Sequence, residues 1–497
     1  MKFKLLLTFF VLYCCFDLNA QNKFKEIVDK NVSLAESEAH LRFLASDELK
    51  GRDTGSPGLE IAAKYIAEQF RKYGLKPAPG TEDYFQVVKL TNTSPPKKGS
   101  LSYKDHSFTQ GETMLVMNGS DVSLNAEVIY ANYGTVADLE KLDVKGKILI
   151  VKAGNEDATN PRQFFGIGRE KQALAKEKGA AALVELYSSS KMPWSLLLNY
   201  LNRPRLTIGD DQNDQDVLPY LWVNDPNNEQ VKILTETTVG SANLDIAELD
   251  KKVVSAKNVI GVVEGTDNKL KEEYVLLSAH YDHIGVKKVK TASEDSIYNG
   301  ARDNGIGTVA LLSAAKALGK NPPKRSVIFA AWTAEEKGLL GSAWYADNPL
   351  IPLNKTVYNL NSDGGGYNDK TIISVVGLER TEAEDAIRKS AEAYGLGATG
   401  DPAPEQNLFD RSDNVNFARK GIPAPTFSTG FTGFDEEIIK YYHQVADQVD
   451  SIDFDYLLKF YRSYVLTTFQ IADMKNAPFW RKGDKYEPAG KELYGRK

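Results

Sequence analysis

The chain has 497 residues, 26% charged and 42% hydrophobic, which excludes a disordered polymer and leaves room for at least two folding units with cores of their own. Its formal net charge is −6, so it has no basic excess to hold phosphate backbones or anionic lipid, and a nucleic-acid partner is not expected. The longest apolar run, residues 5–16, falls short of the ~20 residues that cross a bilayer and follows Lys2 and Lys4. It reads as a secretory signal peptide over 1–20, cut after Ala20, which predicts a secreted or periplasmic protein with no transmembrane segment. A lipid anchor on Cys14 or Cys15 is the less favoured alternative, because neither follows the small residues that such processing uses. Both cysteines lie inside the signal. The mature chain thus has no thiol for a disulfide, a thiolate metal site or a nucleophile, and Asp, Glu and His are its strong metal ligands.

Ser33-Leu34-Ala35-Glu36 has the form of a capping box before a short helix through Leu44. Apolar residues at helical spacing predict a second helix over 59–73, closed by Gly74. A Pro/Thr/Lys-rich connection over 90–100 leads into turn-punctuated sequence with strands at 127–130 and 147–151 and a helical stretch at 170–178. Residues 119–250 read as an insert, dividing the main domain into 21–118 and 251–475.

Beyond Val253 buried strands alternate with amphipathic helices, which predicts an α/β fold with a mixed, largely parallel sheet flanked by helices. The strands fall at 274–279, 326–331, 356–360, 371–376 and 423–428. The helices fall at 307–318, 339–348, 383–394 and 454–474, the third led by a capping box from Thr381 to Glu384. Residues 476–497 read as a polar tail.

The first strand runs into His280-Tyr281-Asp282-His283, the second leads to Glu335-Glu336 and the third to Asn361-Ser362-Asp363. In an open parallel sheet the carboxyl ends of the strands are where ligands bind, so three strands deliver imidazole or carboxylate groups to one rim. Asp303 lies in a glycine-rich turn ahead of a helix, and Tyr442-His443 brings a histidine from far along the chain. His280, Asp303, Glu336, Asp363 and His443 suit a pair of zinc ions bridged by one carboxylate. Of the adjacent Glu335 and Glu336, one could bind metal while the other handles a proton. His283 is expected to hydrogen-bond a neighbouring loop and His40 to lie at the surface. For Asp413 and Asp447, orientation of a ligand and loop capping stand equal.

The segments Ser278-Ala279-His280-Tyr281-Asp282-His283-Ile284-Gly285, Asn299-Gly300-Ala301-Arg302-Asp303-Asn304, Glu335-Glu336-Lys337-Gly338, Asn361-Ser362-Asp363 and Tyr442-His443 resemble, in order and spacing, those of the M28 family of zinc peptidases. Leu44-Ala45-Ser46-Asp47-Glu48-Leu49-Lys50-Gly51-Arg52 is similar to the family's N-terminal segment, and the insert resembles a mostly-β protease-associated domain.

The resemblance implies a zinc-dependent exopeptidase, an aminopeptidase acting on peptide substrates through a metal-bridging water, with two Zn2+ per chain. His280, Asp303 and Asp363 would hold one ion, and Asp303, Glu336 and His443 the other. Glu335 would be the general base, Asp282 would support His280, and Tyr442 could reach a developing oxyanion. It also implies a cis Asp303-Asn304 peptide. Arg302, Ile306, the glycines after Asp363 and Asn414 depart from the commonest family pattern, and none is an expected ligand. Two other readings use the same fold: a glutaminyl-cyclase-like acyltransferase with one zinc, and a receptor-like binding ectodomain without catalysis. The sequence leaves the oligomeric state open.

Overall fold

The computed structural model describes residues 22–496 apart from 82, 159–160, 190, 210–216, 290 and 292–293, so the expected signal peptide lies outside the described residues. The chain divides into two compact units, residues 1–88 with 255–497, and residues 89–254.

In the first unit, helices α1 (Leu34–Leu44) and α2 (Pro57–Lys72) precede the strand β1 (Lys251–Val263). Then follow β2 (Tyr274–His280), α3 (Ile306–Lys320), β3 (Ser326–Trp332), α4 (Leu340–Asp347), β4 (Thr356–Ser362) and β5 (Ile372–Val376). The unit closes with α5 (Glu384–Glu392), β6 (Gly397–Thr399), β7 (Thr426–Thr429), α6 (Glu436–Tyr441), α7 (Phe454–Asp473) and α8 (Glu487–Tyr494). These seven strands lie in the sheet in the order β6-β5-β7-β4-β2-β3-β1. Its centre is parallel: β2 pairs with β3 and β4, and β4 with β7. β1 and β5 enter antiparallel to β3 and β7.

β2, β3 and β4 are buried almost throughout, the pattern of strands covered on both faces. Val275, Leu277, Ala279, Val327 and Phe329 pack with residues of α1, α2, α3 and α7. Leu276, Ile328, Ala330 and Trp332 face the other way, against Tyr345, Phe417 and Trp480. Each large apolar side chain so buried contributes about 1.5–3 kcal/mol. α2 starts where Pro57 occupies its first turn and the Ser56 hydroxyl accepts from the Leu59 amide, and it stops before Gly74 at φ +84°.

Neither predicted capping box forms. The Ser33 side chain makes no cap, and Glu36 instead accepts from the Tyr73 hydroxyl and the Lys316 ammonium. α5 begins at Glu384, while Thr381 pairs with the Tyr358 hydroxyl at 3.2 Å. In both places a buried tertiary partner outcompetes the local cap.

The second unit starts at Lys89 rather than Gly119. Lys98–Tyr103 pairs with Ser241–Ala247, and Met114–Asn118 with Tyr220–Asn224, so segments assigned from sequence to the main domain belong to the insert's own eight-stranded sheet. At the other end, residues after 475 are no polar tail. Trp480 is 2% exposed and donates Nε1 to the Gly421 carbonyl.

His40 is a core residue and not a surface group. It is 5% exposed, its ring nitrogens lie 2.7 Å from the Tyr65 hydroxyl and 2.9 Å from that of Tyr73, and Glu36 sits 4.0 Å away. Burial outweighs the pull of Glu36 and, with Lys72 and Lys316 nearby, lowers its pKa to about 4. Between pH 6.5 and 4 the unfolded imidazole therefore gains a proton that the folded one does not, and stability falls as pH falls, by up to about 3 kcal/mol.

Two outcomes are expected. Trp480→Ala should lower unfolding free energy by about 3–5 kcal/mol in urea, whereas an unshifted midpoint would show residues after 475 to be dispensable. The urea midpoint of the wild type should drop more steeply between pH 6.5 and 4 than that of His40→Gln; parallel pH profiles would rule out His40 as the titrating group.

Candidate metal centre

The carboxyl rim of the parallel strands collects the chemistry. His280 ends β2, Glu335 and Glu336 follow β3, and Asp363 follows β4. Asp303 lies in the 301–305 turn before α3, where its peptide bond to Asn304 is cis. His443 sits two residues past α6 at φ 57°.

Asp303 occupies the middle. One of its carboxylate oxygens lies 3.3 Å from His280 Nε2 and the other 3.1 Å from His443 Nε2. On the His280 side, Asp363 Oδ1 is 3.2 Å from the same Nε2, and its second oxygen accepts from the Ser412 hydroxyl. On the His443 side, Glu336 Oε2 is 3.4 Å from His443 Nε2. All five expected ligands therefore converge.

Asp282 is fully buried, but its carboxylate does not reach His280 as a hydrogen-bond acceptor. It accepts the backbone amides of Glu335 at 3.0 Å and Glu336 at 3.3 Å and the Thr54 hydroxyl at 3.3 Å, while its backbone carbonyl lies 3.2 Å from His280 Nδ1. It holds the two-glutamate loop against the histidine strand. Glu335 Oε2 is 4.0 Å from His280 Nε2. Burial, with Asp363 and Asp413 adding negative charge, raises the Glu335 carboxyl well above its ordinary range despite the opposing effect of His280. Tyr442 stacks on the His443 ring with centroids 4.1 Å apart.

His283 meets the neighbouring loop after β3 through its ring. It is fully buried with Nδ1 2.7 Å from Glu336 Oε1, though without hydrogen-bond alignment, and its ring meets His443 edge-on at 5.8 Å. Its spacing of three residues from His280, past the end of a strand, was the available signal.

The donors suit divalent ions. Ligand atoms of His280, Asp303 and Asp363 lie within 4.8 Å of one another, as do those of His283, Asp303 and Glu336. Glu336 Oε1 and both His283 nitrogens are buried without a hydrogen-bond partner among the described residues. Against the cost of burial, the carboxylates of Asp303 and Glu336 raise the His443 imidazole to about 10, the mark of a pocket built around positive charge. Imidazole nitrogen and carboxylate oxygen without sulfur match zinc at hydrolytic sites.

A carboxylate shared between two imidazole corners is how a hydrolase holds a pair of ions, and on this sheet it defines a metal-dependent hydrolase. Residues 258–467 match the model of Peptidase family M28. Aminopeptidase YwaD of Bacillus subtilis (strain 168) is 24% identical over 444 residues, covering 85% of this chain and 83% of the relative. The probable leucine aminopeptidase 2 of Aspergillus oryzae is 26% identical over 403 residues, covering 77% and 73%. Among solved structures, the aminopeptidase from Aneurinibacillus sp. strain AM-1 shares the fold, with a TM-score of 0.57 at 20% identity over 90% of this chain and 95% of the other.

Asp282→Asn should loosen the glutamate loop and cost about 10- to 100-fold in metal affinity or turnover. Metal content after dialysis and initial rates would be compared with wild type, and unchanged values for both would remove Asp282 from the site.

Proposed function

We propose that the protein is a secreted aminopeptidase with two zinc ions per chain, removing N-terminal residues from peptides. The observation that carries this is the division of the Asp303 carboxylate, one oxygen toward His280 and the other toward His443. The relatives described above are aminopeptidases by name, which supports an exopeptidase. The apolar run behind Lys2 and Lys4 supports secretion. The second unit is read as a protease-associated domain, and every proposed ligand comes from the first unit.

His280, Asp303 and Asp363 would hold one ion, and Asp303, Glu336 and His443 the other, with buried His283 set behind Glu336. Bound zinc supplies Lewis acidity toward a carbonyl oxygen and makes water more acidic. Glu335 then takes the proton of the attacking water on its carboxylate and passes it to the leaving amine. Asp282 fixes that carboxylate by gripping the Glu335 and Glu336 amides. The Tyr442 hydroxyl, on a ring braced by His443, would donate to the developing oxyanion.

Metal analysis should return two zinc ions per chain, where a one-zinc cyclase would return one, and peptides with a free N-terminus should be cleaved while N-blocked ones are spared. Glu335→Gln should keep its metal and lose about 10²- to 10⁴-fold in turnover. Glu336→Gln should lose metal instead. Near-normal turnover by metal-replete Glu335→Gln would exclude it as the base.

A further inference from the structure

Two of the departures from the family pattern, Arg302 and the glycines after Asp363, meet in the structure. A β-carbon on Gly366 would lie 2.9 Å from Arg302 Cδ, and one on Gly365 would overlap the Tyr442 ring. Glycine at these positions gives Arg302 and Tyr442 their space. Arg302 is 2% exposed, although it is a long cation beside a solvent-facing rim.

Its guanidinium carbon lies 3.6 Å above the centre of the Tyr441 ring, at the end of α6. Nη1 donates to the Ser451 hydroxyl at 2.7 Å and Nη2 to the Ser451 carbonyl at 3.0 Å. Tyr441 and Ser451 bracket the segment that carries His443, so one side chain grips both ends of it. Asp447, within that segment, accepts the backbone amides of Arg302 at 2.9 Å and Asp303 at 3.2 Å, and lies 3.4 Å from Arg302 Nη1. The peptide that carries Asp303 and the turn that carries His443 are thereby locked together.

The other ligands have independent support. His280 ends a central strand, Asp363 follows another and is held by Ser412, and Glu336 is fixed through Asp282. His443 is 37% exposed, has a left-handed backbone and follows a six-residue helix. It depends most on being held.

We propose that Arg302, with Asp447, is a positioning residue that sets His443 against Asp303 and so controls metal retention on the Glu336/His443 side of the centre, leaving the His280/Asp363 side unaffected. The inference rests on the two-ion reading above. Lysine cannot replace it, because the stack on Tyr441 and the forked donation to Ser451 both need a planar guanidinium.

The test is a chelator-competition titration of the metal-free full chain with Zn2+, resolving two binding steps, with Glu336→Gln identifying which step belongs to the His443 side. Arg302→Lys should weaken that step by about 10- to 100-fold and leave the other within about twofold, with kcat restored by excess zinc. Ser451→Ala, which removes a single acceptor, and Tyr441→Leu, which removes the stacking face, should weaken the same step by less. These two decide the matter should Arg302→Lys not fold. Equal weakening of both steps, or no weakening in a folded variant, would overturn the role of Arg302. Wild-type protein that takes up fewer than two ions would overturn the two-ion reading itself, and the proposal with it.

Discussion

Concentrating negative charge in a poorly solvated place is the constraint around which this molecule is arranged. Asp282, Asp303, Asp413 and Asp447 are buried within the same region as the partly buried Glu335, Glu336 and Asp363. Carboxylates removed from water repel one another unless each has donors or a cation. Two guanidinium groups answer this from beneath the rim. Arg52, 1% exposed, donates to the carbonyls of Leu44, Tyr281, Asn299 and Gly300. Burial lowers it to about 10, which leaves it charged at neutral pH and within the field of Asp282, Asp447, Asp303 and Glu336. It belongs to an N-terminal segment whose carbonyl-binding side chain ties the loop after β2 to the loop before Asp303. Arg302 answers Asp447 directly, with Nη1 3.4 Å from its carboxylate.

Much of this could be read from the sequence because the parallel strands are nearly unbroken apolar runs and their polar residues fall at the carboxyl ends. His280, the Glu335-Glu336 pair and Asp363 declared themselves by that position. Asp303 and His443 stood out less, as a carboxylate in a glycine-rich turn and a histidine far along the chain, since neither ends a strand, and the division of ligands between two ions came from family resemblance. The cis bond after Asp303 likewise came from resemblance.

What the sequence concealed was set by long-range partners. His40 reads as a helix-surface residue until Tyr65 and Tyr73 are folded over it, and Glu36 reads as a capping residue until Lys316 arrives from α3. Lys98–Tyr103 carries no mark of the unit it joins, because its pairing partner is Ser241–Ala247. Trp480 lies in a charged stretch, and only the groove beside Gly421 shows that it is core. His283 was discounted because a histidine after a strand has many ordinary partners, and the carboxylate that it meets comes from another strand's loop.

The first unit is discontinuous in the chain, and this orders events on the ribosome. Residues 89–254 are contiguous and are complete before the part of the other unit that follows residue 254 is made. Domains generally fold as units during synthesis, so the later-numbered body can finish first. α1 and α2 must meanwhile wait with their apolar faces uncovered for α3 and α7, which they pack against. His443 and the Asp447 that pins it are made after His280, Asp303, Glu336 and Asp363. A chain ending before His443, even one retaining His280, Asp303, Glu336 and Asp363, would lack one of the five residues proposed as ligands.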